Sequence, residues 1–204
     1  MIINIDQYSI LFQLVAGFTP LVFVFSRKNK ILNFLIIHLG ISFICSLLIF
    51  ITRINHVYNL HIFNFYILSS SLFLPIFYFK LIQNRLLKFI LIIVFLGNLS
   101  IVINELFHSE YLVNAVVSEN ITEIILCLFF LLDLLLSNKK PENQLSLLLI
   151  NSSIFFYNCF SFLFNFYISE IMVSNLWFIH NFIEASSKLI IAYAFWKLPK
   201  TSQF

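Results

Sequence analysis

Residues 31–52 read ILNFLIIHLGISFICSLLIFIT, an uninterrupted apolar run with no Asp, Glu, Lys or Arg, set between Lys30 and Arg53. As a helix rising 1.5 Å per residue it would be about 33 Å long, enough to cross the ~30 Å hydrocarbon core of a bilayer. Six further stretches have the same character: roughly 8–25, 62–79, 89–106, 121–137, 145–167 and 176–196. The connections between them are short, and none could hold a water-soluble domain. The expectation is a single all-α domain over 1–204, a seven-transmembrane-helix bundle.

Composition gives the same answer. Of 204 residues 61% are hydrophobic and 10% charged, against about 25% charged in an ordinary soluble domain. So few polar residues cannot cover the surface of a water-soluble fold of this size. The lipid bilayer is therefore the main partner. A net charge of +3, spread evenly, does not fit nucleic acid binding. Cys45, Cys127 and Cys159 fall inside apolar stretches without a CxxC spacing, so they indicate neither a zinc site nor a disulfide framework. No basic segment precedes the first apolar stretch, which is expected to remain as a helix.

Orientation follows from the basic residues. Arg27, Lys28 and Lys30 lie in the first connection, Lys80, Arg85 and Lys88 around the third, Lys139 and Lys140 in the fifth, and Lys197 and Lys200 in the tail. These ten of the twelve fall on one side. The other side has Arg53 and collects Asp6, Glu110, Glu119 and Glu170. The alternation places the N-terminus outside and the C-terminus in the cytoplasm. Trp177 and Trp196 suit the two interfaces of the last span. A faint repeat also runs through the chain: Asn64-Phe65, Ser69-Ser70 and Lys80-Leu81 recur as Asn181-Phe182, Ser186-Ser187 and Lys197-Leu198. It predicts a 3+1+3 arrangement with parallel halves, as in some transporters.

Trp177-Phe-Ile-His180-Asn181 with Phe195-Trp196-Lys197, Leu149-Ile-Asn151-Ser152-Ser153 through Tyr157-Asn158, and Asn59-Leu60-His61 are similar to a family of small bacterial seven-helix membrane proteins without an assigned activity. The resemblance implies the fold and an inner-membrane location, and no chemistry. The last span also resembles that of microbial rhodopsins, because Glu184 stands four residues before Lys188. That resemblance implies retinal on Lys188. The chain departs from it: residues 62–79 contain no Arg or carboxylate for a counterion, and the sixth span lacks the expected aromatic-Tyr-Pro wall. Glu and Lys at this spacing also form an ordinary helix pair.

Ionisable groups in hydrocarbon cost at least ~2.5–3.5 kcal/mol, so they should face the bundle interior and find partners. Glu184 is expected near mid-membrane, with Lys188, Asp133 and His38 deeper. Glu184, Asp133 or both would neutralise Lys188, forming the charged floor of a ligand or ion site. Gln13, Glu105, Glu123, Asn158, His180 and Asn181 map to outer halves of their helices and could line an outer pocket. Serines 69–71 and the Asn151-Ser152-Ser153 triplet suit helix-to-helix packing. No paired-His or HExxH spacing points to a metal, and no phosphate loop or GxSxG points to an enzyme. The favoured expectation is a ligand-sensing or signalling subunit that passes a change of shape to a membrane or cytoplasmic protein partner. The alternatives are a small-solute transporter, a structural or assembly subunit, and a retinal-binding protein.

Overall fold

In lipid every backbone N–H and C=O must be satisfied within its own segment, which makes the apolar stretches helical. The computed structural model describes residues 5–24, 32–55, 59–108, 112–137, 143–166 and 177–198. Among these lie seven helices: α1 (Ile5–Val24), α2 (Leu32–Ile54), α3 (Leu60–Leu81), α4 (Arg85–His108), α5 (Val113–Leu136), α6 (Gln144–Phe166) and α7 (Trp177–Lys197). Five of them, α2 to α6, are long and apolar enough to cross a membrane. The apolar part of α1 is shorter, Tyr8–Phe23. In α7, His180, Asn181, Glu184 and Lys188 dilute the apolar content. These two helices share the most extensive interhelix contact in the bundle.

The polarity is the reverse of a water-soluble protein's. In each of the five apolar helices fewer than half of the residues in the spanning window are buried. Large apolar side chains point outward, Leu135 with 82% of its surface exposed. Ser69, Ser70, Ser71, Glu119, Glu123, Asn158 and Lys188 are buried instead. Such a surface would aggregate in water and suits hydrocarbon. The protein is a helical membrane protein.

The helices neighbour one another in the order α1, α2, α3, α5, α6, α7 and back to α1, which closes a ring; α4 stands outside it, against α3 and α5. Side-chain pairings give the directions. Ser9 meets Asn181 and Gln13 meets Glu184, so α1 and α7 run the same way. Ser70 meets Glu123 and Tyr78 meets Cys127, so α3 and α5 also run together. At one end the ring is filled by an apolar core that includes Leu35, Phe77, Tyr78, Leu126, Phe130, Ile150 and Phe195. Within it Tyr78 Oη donates to Asn151 Oδ1 at 2.9 Å.

The largest departure from the sequence expectation is α5, which begins at Val113 and not near residue 121. Glu119 and Asn120 read as part of a connection, but their side chains turn inward as helix and are buried. The start is fixed from α4. Glu105 Oε1 accepts from the backbone N–H of Asn114 at 3.1 Å and Oε2 from that of Ala115 at 2.8 Å. A carboxylate at a helix N-terminus satisfies orphan donors and complements the helix dipole.

The opposite end of the pair is tied likewise. Asp133 of α5 accepts from the backbone N–H groups of Gln83 at 2.9 Å and Asn84 at 2.8 Å, in the turn before α4. Asn84 then caps α4 through its own side chain, accepting from Leu86 N at 2.9 Å.

Candidate ligand cavity

Inside the ring lie two chambers. The wider, about 730 Å³, is walled by Ile10 and Gln13 of α1, Cys45, Ser46, Ile49 and Arg53 of α2, and Leu60, Phe63 and Tyr66 of α3. Tyr157 of α6 and Trp177, His180, Asn181 and Glu184 of α7 complete it, with Asn59 and Val113 at the Arg53 end. The narrower, about 90 Å³, reaches toward the apolar core. Its polar wall is His38 and Ser42 of α2, Ser70 of α3, Glu119, Asn120 and Glu123 of α5, Asn158 and Ser161 of α6, and Ser187 and Lys188 of α7. Both are lined by Phe63, Tyr66, Tyr157, Trp177, His180 and Glu184, where they meet.

Lys188 and Glu184 stand one turn apart on α7 and form an ion pair at 2.5 Å. Glu184 also accepts from Gln13 Nε2 at 2.5 Å. A Cβ placed on Gly17 would lie 3.6 Å from Lys188 Nζ, so α1 is at its smallest where the lysine packs against it. One turn toward the wide chamber, Asn181 Nδ2 donates to Ser9 Oγ at 3.0 Å. These contacts explain why α1 and α7 associate closely although each carries polar groups: they satisfy one another. His38 lines the same narrow chamber from α2, its ring 6.2 Å from that of Tyr66.

Asp133 does not join this group. Both of its oxygens are engaged by the α3–α4 turn, and neither chamber is lined by it. Glu184 alone pairs with Lys188 among the described residues. Glu105 is likewise outside the chambers, because it caps α5.

Glu123 lines the narrow chamber. Its Oε1 accepts from Ser70 Oγ at 2.9 Å and its Oε2 from Asn158 Nδ2 at 2.6 Å, which ties α5 to α3 and α6. Gln13, His180 and Asn181 line the wide chamber. His180 sits among rings, stacked on Trp177 at 5.4 Å and facing Phe164 at 5.2 Å and Tyr157 at 5.8 Å. Trp177 is a chamber wall, and Trp196 is 53% exposed.

Sequence reasoning missed Glu119, Tyr66, Tyr157 and Asn120 as chamber residues. The i, i+4 spacing of Glu119 and Glu123 was the available signal, hidden by starting the fifth helix too late. The serine runs divide between packing and lining. Ser153 Oγ donates to the backbone oxygen of Ser187 at 2.8 Å, joining α6 to α7, whereas Ser70 lines the narrow chamber. Arg27, Lys28, Lys30, His56, Glu110, Lys139, Lys140, Glu170 and Lys200 lie outside the described residues.

Among the described residues no group of three or more His, Cys, Asp or Glu side chains could hold a metal ion. Comparison with protein families, curated proteins and solved structures finds no match to this chain.

Proposed function

We propose that this protein is a seven-helix receptor of the cell membrane, which binds a small ligand in the two-chamber cavity and passes the event to a protein partner. The observation that carries the reading is a cavity of about 730 Å³ that narrows to a buried, hydrogen-bonded polar floor at Glu184 and Lys188. Ligand sites are concave, mostly apolar, and carry a few convergent polar groups. A bundle that needed only to pack would gain nothing from space at its centre.

All seven helices cross the bilayer in this reading. The parallel run of α1 and α7 supports an odd number of crossings. The Lys80, Lys88 and Lys197 ammonium groups, each over an aromatic ring, lie at the apolar-core end and suit a cytoplasmic face. The wide chamber then faces outside, and the core seals the cytoplasmic side.

A small-solute carrier of 3+1+3 architecture is the second reading. It is favoured by the position of α4, outside a ring closed by α1–α3 and α5–α7. Two features weigh against it. α1 and α3 continue unbroken through Pro20 and Pro75, whereas carrier sites are commonly built on interrupted helices. The core below the cavity is also continuous.

Native mass spectrometry of the gently solubilised protein is the test. The receptor reading expects a small molecule or a partner chain to co-purify, and both Glu184→Gln and Lys188→Met to lose the small molecule. Uptake of a solute by liposomes holding the purified protein alone would replace this reading with the carrier.

A further inference from the structure

The charges around the narrow chamber do not balance. Glu119, Glu123 and Glu184 line it, and among the described residues Lys188 is the only Lys or Arg that does. Lys188 is committed to Glu184 at 2.5 Å. Glu123 has neutral partners, Ser70 and Asn158. Glu119 stands one helical turn from Glu123, about 5–6 Å between Cβ atoms, and is buried. Two neighbouring carboxylates removed from water are costly unless a shared proton or another positive charge lies between them.

A second observation points to an occupant. Asn120 and His38, 5% and 7% exposed, line this chamber, and Asn120 Nδ2 and His38 Nδ1 have no hydrogen-bond partner. Buried polar atoms are nearly always satisfied, so orphans aimed into a cavity are groups awaiting something. Beyond them Phe63, Tyr66, Tyr157 and Trp177 supply aromatic walls, whose faces attract cations.

We infer that the ligand is an organic cation: an ammonium head held between Glu119 and Glu123 in the narrow chamber, with an apolar body lying among the rings of the wide one. The inference rests on the cavity being a ligand site, and names the chemistry of its occupant. Glu119 supplies a carboxylate with no cationic partner among the described residues, Asn120 Nδ2 and His38 Nδ1 bond water beside the head, and the Glu184–Lys188 pair stays intact. An anionic head would meet an acidic wall and a lysine already neutralised.

Three probes of one shape test this: 4-phenylbutylamine, 4-phenylbutanol and 4-phenylbutyrate, titrated by calorimetry into the protein in lipid nanodiscs. The amine is expected to bind at least about tenfold more tightly than the alcohol or the acid. Glu119→Gln should remove that preference, and Glu119→Asp, which keeps the charge, should retain it; equal melting temperatures establish that both variants fold. Binding of the alcohol or the acid as tight as that of the amine overturns the cationic ligand and leaves the cavity reading standing. Amine binding unchanged in Glu119→Gln overturns it too. Binding of none of the three also overturns it, and the cavity reading then stands or falls on whether the native protein carries a bound molecule.

Discussion

Lys188 shows how one residue can be readable in kind and not in partner. An ammonium in hydrocarbon demands a carboxylate, and the sequence offered Glu184 one turn away and Asp133 at similar depth. Depth is not position around the bundle, and Asp133 faces the α3–α4 turn. Lys188→Met should leave Glu184 charged, buried and held by Gln13 alone, at a cost of about 3–5 kcal/mol. The double change Glu184→Gln with Lys188→Met should recover most of that loss. Reversible unfolding in mixed micelles measures both. A double variant as unstable as the single one would show that the pair is not coupled as the 2.5 Å contact implies.

At the scale of the element, length and apolarity locate helices well and their ends poorly. The expectation of 31–52 is met by α2 at Leu32–Ile54, while the first two turns of α5 read as a loop. The reason is that Glu119 and Asn120 are polar because they face a cavity, and a linear reading takes buried polarity for exposure. The reciprocal ties between α4 and α5 were illegible for a related reason, since each depends on which backbone N–H the carboxylate meets across the pair. Asp133→Ala removes the acceptor for two backbone donors and should destabilise by about 2–4 kcal/mol. Glu105→Ala should do the same from the other end. If either variant melts within a degree of the parent protein, that tie contributes nothing.

For the whole molecule, the native cysteines report on the cavity without any substitution. Cys45 lines the wide chamber and Cys127 lies in the apolar core, both free. A small charged thiol reagent should modify Cys45 at least about tenfold faster than Cys127, because the thiolate reacts where water reaches it. Peptide mapping by mass spectrometry reads the two rates, and equal rates would mean that water does not enter the chamber. The membrane setting was legible at this scale from composition alone, whereas the closed ring was not, since neighbour order is carried by contacts hundreds of atoms apart along the chain. That closure also fixes a schedule. α7 is the chief neighbour of α1, yet about 150 residues separate Val24 from Trp177. At ~5–20 residues per second, the ribosome releases α7 roughly 8–30 s after α1. Throughout that interval Ser9, Gln13 and Gly17 stand without their lasting neighbour, so the nascent chain must be sheltered by the insertion machinery or by provisional contacts until α7 emerges.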